Sequence, residues 1–272
     1  MDGDALISDG PGQLGALAAE AIGRGATRLV VVGGDGSVNE VVNGVIGARD
    51  VELAVIPRGT GWDFVRTFAI PRDLDAAIAV ALRGAVREID AGVVTYRTWA
   101  GEEARAYFAN VGSAGISGAI AQRANESSKA LGGKVSYYWA TLAVFFGWQA
   151  GEMRVTVGDD TRSGRMIDAM ICNGRFVGGG MMMCPDAEPD DGLFDVLLIG
   201  DVTKRDLAFV LPKTYKGTHL PHPRLELLRG SVVTVDADEP IPIELDGEQP
   251  GTTPARFEVL PRALRLRVPS SG

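Results

Sequence analysis

"VVVGGDGSVNEVVNG", Val30 to Gly44, decides how the rest of the chain is read. An apolar strand runs into a turn carrying Gly33, Gly34 and Gly36. The turn then enters a helix whose apolar face is Val38, Val41, Val42, Val45 and Ile46. Such a turn is an anion site, because unpaired backbone N–H groups point into it and the helix dipole adds positive potential. Asp35 sits in the middle of it, where an ionised carboxylate repels phosphate unless a cation or a hydroxyl lies between them. Ser37 and Glu40 also fit the S-x-x-E capping box, so a capped helix start is the plainer reading of the same residues. Two common phosphate loops are excluded: there is no GxxxxGK[ST] run, and Asn39 stands where the dinucleotide fingerprint needs its third glycine.

Before this stretch, Leu14, Leu17, Ala18, Ala21 and Ile22 make a helical face. After it, "ELAVI" reads as a strand, and Asp73 caps a helix through "LDAAIAVALRG" that stops at Gly84. Alternation of this kind predicts a parallel sheet with helices on both faces. From Arg87 the texture changes. "REIDAGVVTY", "RAYFANVG", "EMRVTVG", "GRMIDAMICNG", "LFDVLLIG", "GSVVTVDAD", "PIPIELDGE" and "ARFEVLPRALRLRVP" read as strands separated by Gly, Pro and Asp turns. Helices are expected near Gly133 to Trp148 and from a Thr203 cap through Lys213. The second half is therefore mainly antiparallel, with a boundary at Ala91 and Gly92 that gives domains 1–91 and 92–272.

Composition narrows the function classes. The chain has 272 residues, 46% of them apolar, enough for one large domain or two ordinary ones. A net charge of −8 spread along the sequence argues against a nucleic-acid partner and against a polybasic membrane anchor. Cys172 and Cys184 lack CxxC spacing and fit buried thiols in a reducing, cytoplasmic setting. His219 and His222 lie in "GTHLPHPRL", where the prolines prevent a zinc-presenting helix. The N-terminus has neither the basic region nor the apolar core of a signal peptide. The uncharged run Val135 to Gly151 is shorter than the roughly 20 residues of a membrane span and reads as a buried helix. Its aromatics, Tyr137, Tyr138, Trp139, Phe145, Phe146 and Trp148, read as core before they read as an acyl-chain pocket.

In "AVIPRGTGWDF", Pro57, Gly59 and Gly61 bend the chain after the second strand and put Thr60 at its carboxyl end, where ligands of open parallel sheets gather. Glycine turns after successive strands, one of them carrying an acid, suggest phosphoryl transfer, in which a carboxylate holds Mg²⁺ or accepts a hydroxyl proton.

"GGDGSVNEVVNG" followed by "IPRGTGWDFVR" resembles the diacylglycerol kinase catalytic domain, in particular the bacterial soluble lipid kinases related to sphingosine and ceramide kinases. "NVGSAGISG", "CNGRFVGGGMMMCPDAEPDDGLFDVLLI" and "IELDGE" continue the resemblance over nearly the whole chain. It implies ATP- and Mg²⁺-dependent phosphorylation of a membrane-derived lipid hydroxyl. The active site would lie in a cleft between a three-layer α/β nucleotide domain and a β-sandwich lipid domain. By the resemblance, Gly33, Gly34, Asp35, Gly36, Ser37, Val38 and Asn39 wrap the phosphates, Thr60 lies near the nucleotide, and Ser8 stands for a nucleotide-contacting threonine. Asp246 and Glu248 reach the same cleft, and Asp35 and Glu248 compete for the role of proton acceptor. "AEPDDGLFD" is similar to a structural Mg²⁺ loop, with the Asp191 carboxylate and the Glu188 and Leu193 carbonyls as ligands. A plain Asp-Gly hairpin turn is the alternative there.

The chain departs from the family pattern in two places. The family opens with a strand and an "NPxSG"-like turn, and this sequence begins after that point. An uncovered sheet edge, and with it a homodimer, is therefore an expectation. Trp62 stands where the family has asparagine, a change that would reshape the nucleotide pocket. A lipid kinase is thus the leading expectation, in the cytoplasm with transient contact at the membrane surface. A catalytically weak lipid- or nucleotide-binding homologue is the alternative. A NAD kinase also uses a GGDG turn, but "VNEVVNG" and "PRGTGWDF" fit that family poorly.

Overall fold

The computed structural model describes residues 3–59, 61–131 and 143–270. Helix α1 (Leu14–Gly23) precedes strand β1 (Arg28–Gly33), helix α2 (Asp35–Val45) and strand β2 (Glu52–Pro57). β1 and β2 pair in parallel, from Arg28 opposite Glu52 to Gly33 opposite Pro57. β2 is buried on both faces because its side chains alternate. Leu53 and Val55 join a core with Val38, Val42 and Phe64, while Ala54 and Ile56 meet Ala77 and Ala81 of helix α4 (Leu74–Arg83). The Asp73 carboxylate accepts the Ala76 N–H, the cap expected at the start of α4. Helices α1 and α2 cross with their backbones in contact, since any Cβ on Gly44 would collide with the Gly15 carbonyl.

Strands β3 (Ala85–Thr98) and β14 (Glu248–Val268) form a long antiparallel ribbon through the molecule. Ile89, Ala91, Leu264 and Leu266 pack in the first core, whereas Val94, Tyr96, Ala255 and Phe257 pack in the second. The chain crosses from one core to the other between Ala91 and Val94. The end of β14 crosses back and pairs in parallel with β2 through Arg265 and Leu266. Arg267 there binds Glu52, which Arg28 also contacts.

The remaining strands are β4 (Glu103–Phe108), β5 (Val111–Gly115), β6 (Gly151–Val157), β7 (Asp160–Cys172), β8 (Phe176–Val177), β9 (Met181–Met182), β10 (Phe194–Gly200), β11 (Leu225–Gly230), β12 (Val232–Ala237) and β13 (Pro242–Leu245). Among the described residues, all but β8 and β9 join one twelve-stranded sheet. Every pairing within the second half is antiparallel. Further helices include α3 (Asp63–Thr67), α5 (Ile116–Leu131) and α6 (Lys204–Thr214). α6 opens with a capping box between Thr203 and Asp206. Of the run around Val135 to Gly151, residues 143–147 are helical, with Phe145 buried and Phe146 exposed. Tyr137, Tyr138 and Trp139 lie outside the described residues.

Gly44→Ala is expected to separate α1 from α2 at a cost of about 1–3 kcal/mol, because backbone and not a flexible side chain meets the new methyl. Urea unfolding of the parent and the variant measures the loss.

Candidate active site

A cleft of about 330 Å³ opens where the glycine turns of the first half face the second. Gly34, Asp35 and Gly36 form one wall, Gly59, Gly61 and Asp63 a second, and Gly178, Gly179, Glu244, Asp246 and Glu248 close it. The two turns meet closely: a Cβ on Gly34 would lie 3.0 Å from the Gly59 Cα. Glycine is needed there for close approach of two backbones.

The helix that receives the turn begins at Asp35, with Gly34 as its N-cap, one turn earlier than a Ser37 cap requires. The expected Ser37–Glu40 capping box therefore does not form. Instead the Glu40 carboxylate accepts the Leu14 N–H at the start of α1, and Ser37 packs against Gly33. The Val38 N–H is already spent on the Gly34 carbonyl, and the Val38 side chain is core. The amides available for an anion are thus those of the first turn, at Asp35, Gly36 and Ser37.

Asp35 answers to its neighbours. One carboxylate oxygen accepts the Trp62 N–H at 2.8 Å and the other the Phe64 N–H at 3.1 Å. The acid in the first glycine turn thereby holds the second turn against it. Trp62 pays for this with a left-handed backbone, φ 69°, a conformation that asparagine adopts more readily than tryptophan. Its ring is held by Arg72, whose guanidinium lies 3.8 Å from the ring centre.

Asp63 follows directly, at the start of α3. It is buried, one carboxylate oxygen accepts the Gly179 N–H at 2.7 Å, and the other has no hydrogen-bond partner. Burial, with the Asp35 carboxylate nearby, pushes its pKa up to about 6. Sequence reading missed this residue. Its signal was an acid immediately after the "RGTGW" turn, at a helix start that points into the cleft.

Asp246 and Gly247 make the two-residue turn between β13 and β14, both with positive φ. The Asp246 carboxylate accepts the N–H groups of Ala109, Asn110 and Val111 and the Asn39 side-chain amide. Asn39 is therefore a bridge between α2 and this hairpin, and Asp246 is held by four donors and positions the turn. Glu248 is different. It accepts no hydrogen bond from the described residues, and partial burial, together with the Glu40 carboxylate, raises its pKa. Glu244 beside it is buried, bonded to Ser113 and Gly247, and burial pushes its pKa up to about 8.

Of the other expected residues, Ser8 is half-buried in the segment before α1 and does not line the cleft. Thr60 lies outside the described residues. The loop expected to hold a second Mg²⁺ at Glu188, Asp191 and Leu193 is closed differently. Arg229 pairs with the Asp191 carboxylate, the Leu193 N–H donates to its other oxygen, and the Glu188 carbonyl accepts the Asp191 N–H. A guanidinium therefore stands against the Asp191 carboxylate in this loop. No group of three or more His, Cys, Asp or Glu side chains among the described residues is arranged to hold a metal by itself. In the cleft, Asp63 lies near Asp35, and its Oδ1, which accepts no hydrogen bond, faces the Arg66 guanidinium at 3.9 Å; the two carboxylates offer oxygen donors of the kind a divalent cation takes.

Next to the cleft lies a second, apolar cavity of about 100 Å³. Ser117 and Val177 line both. Phe145, Met181 and Leu211 contribute to the apolar wall, and the Asp168 carboxylate, bonded to the Ser117 N–H and hydroxyl, supplies one of its few polar groups.

The chain is similar to known proteins along nearly its whole length. The diacylglycerol kinase catalytic domain matches residues 3–94, and the YegS C-terminal NAD kinase beta sandwich-like domain matches residues 110–268. A Pseudomonas aeruginosa protein named "Probable lipid kinase YegS-like" is 32% identical over 93% of this chain and 80% of its own length. A diacylglycerol kinase of Staphylococcus carnosus is 26% identical over 89% of this chain and 76% of its own. The crystal structure of a diacylglycerol kinase from Bacillus anthracis has the same fold, with a TM-score of 0.70 at 20% identity over 97% of this chain and 84% of that one. Yeast NADH kinase is a more distant neighbour in fold, with a TM-score of 0.51 at 11% identity over 89% of this chain and 60% of that one.

The Glu244 pKa sets a pH dependence of stability. The native carboxyl keeps its proton to about pH 8, whereas an unfolded glutamate releases it near 4.5. Between these values the unfolded chain binds fewer protons, so stability falls as pH rises. Glu244→Gln is expected to flatten part of that fall, as read by melting temperature against pH. Asp63 and Asp168, also shifted upward, keep the remaining slope.

Proposed function

We propose that this chain, which belongs to the diacylglycerol kinase family of lipid kinases, transfers the γ-phosphate of ATP to the hydroxyl of diacylglycerol or a closely related lipid. The observation that carries the reading is the cleft itself. A glycine turn at a helix N-terminus offers backbone N–H groups to phosphates, carboxylates surround it, and an apolar cavity adjoins through Ser117. The α/β residues 1–91 serve as a three-layer nucleotide domain, and residues 92–272 as a β-sandwich lipid domain. Contact with the membrane would be peripheral.

The first-turn amides of α2 hold the phosphate chain. Asp63, assisted by Asp35, would hold Mg²⁺, which when bound neutralises phosphate charge that the cleft carboxylates would otherwise repel. Glu248 is the proton acceptor: it alone of the cleft acids is free of hydrogen bonds among the described residues, and its raised pKa makes it a better base. The lipid oxygen forms a bond to the γ-phosphorus as the bond to the departing ADP oxygen breaks, and the hydroxyl proton passes to Glu248. Asp35 and Asp246 are positioning residues, each held by backbone N–H donors.

The test is transfer of labelled γ-phosphate from Mg-ATP to a mixed bacterial lipid extract. A labelled lipid is expected, together with a loss of about 100-fold or more in kcat for Glu248→Gln at unchanged melting temperature. The rate should fall toward acid as Glu248 takes up its proton, and this limb should be absent from the variant's residual activity. Labelled NAD with no labelled lipid would overturn the reading.

A further inference from the structure

The outer face of α6 combines features that the proposed chemistry does not use. Arg205, Phe209 and Lys213 recur every fourth residue along it and are exposed, and Lys216 follows just beyond its end. Phe209 is 74% exposed. Beside it Phe146, 55% exposed, lies under the Lys204 ammonium at 5.1 Å. Residues 204–216 carry four basic side chains and one acidic one, in a chain whose net charge is −8. The acidic one, Asp206, is committed to the capping box and to His222. Asp201, just before the helix, is paired with Arg165. The surface here is therefore cationic and aromatic, against the sign of the whole molecule.

The inner face of the same helix is apolar. Val210, Leu211 and Thr214 form part of the wall of the cavity that meets the cleft at Ser117. α6 thus separates the apolar cavity from an exposed face of aromatic rings and cations. A helix with apolar and aromatic side chains set among Lys and Arg is the pattern of a surface that rests on a bilayer, where rings enter the headgroup boundary and cations meet anionic lipid.

We propose that the outer face of α6, with Phe146 beside it, is the docking surface of this protein for an anionic bilayer, and that it sets the apolar cavity against the membrane from which the lipid is drawn. The docking rests on charge complementarity and exposed rings, and it does not depend on the proposed phosphoryl transfer. A protein without kinase activity would still bind.

The test is co-sedimentation of the full chain, with no nucleotide, on vesicles of phosphatidylcholine alone and on vesicles mixed with phosphatidylglycerol. Binding is expected only to the mixed vesicles and to weaken as salt rises. The Arg205→Gln, Lys213→Gln double variant should lose about 30-fold in affinity, and Phe209→Ser about 10-fold. Arg49→Gln, a charge removed from the exposed loop after α2, should match the parent. Melting temperatures of all variants should equal the parent's. Equal binding by the parent and the double variant, or no preference of the parent for anionic vesicles, overturns the proposal.

Discussion

Two hydrogen bonds from the backbone of one glycine turn to the carboxylate of another hold the candidate site together. By accepting the Trp62 and Phe64 N–H groups, Asp35 fixes the loop after β2 against the loop after β1. That contact allows Gly34 and Gly59 to approach at backbone distance. It also sets Asp63 at the start of α3, from which Asp63 reaches the Gly179 N–H in the other half of the molecule. Asp246 ties the opposite wall in the same way, through three consecutive backbone amides and Asn39. Each of these hydrogen bonds to a carboxylate is stronger than a neutral one, and at Asp246 they offset part of the burial that still raises its pKa.

The arrangement has an electrostatic consequence. Asp35, Asp63, Glu244, Asp246 and Glu248 line the cleft, and no Lys or Arg side chain is among its described lining residues. Backbone amides and a helix N-terminus give directed partial charges, but not enough to offset several carboxylates beside a triphosphate. Nucleotide binding in such a cleft calls for a divalent cation. Hydrogen bonding separates the acids: Asp35 and Asp246 are held by N–H donors, and Glu248, which accepts none from the described residues, is the one proposed to take a proton.

Local patterns in the sequence foretold much of this architecture. The periodicity of Leu14 to Ile22 and of Val38 to Val45, the Asp73 cap and the Thr203 cap all appear as helices where those residues imply them. What sequence could not supply were partners far along the chain. Ser37 and Glu40 match a capping box, yet Glu40 meets Leu14, 26 residues away, and the helix starts at Asp35. Asp191 has the spacing of a hairpin or a metal loop, and only the fold brings Arg229 to it. Asp63 carries little local signal, because its burial and its Gly179 contact are made by the second half. The tail "LRLRV" alternates like any strand of that half, but its return to β2 buries Leu264 and Leu266 in the first core and joins Arg267 to Glu52, partners far along the chain.

The most direct test is a calorimetric titration of the chain with ATP, first with Mg²⁺ and then with the divalent cation removed by chelator. A cleft walled by carboxylates should bind ATP with Mg²⁺ and lose that binding without it, and Glu248→Gln should retain the Mg²⁺-dependent affinity because its proposed role is toward the lipid proton. Equal affinity for ATP in the presence and absence of divalent cation would contradict the account.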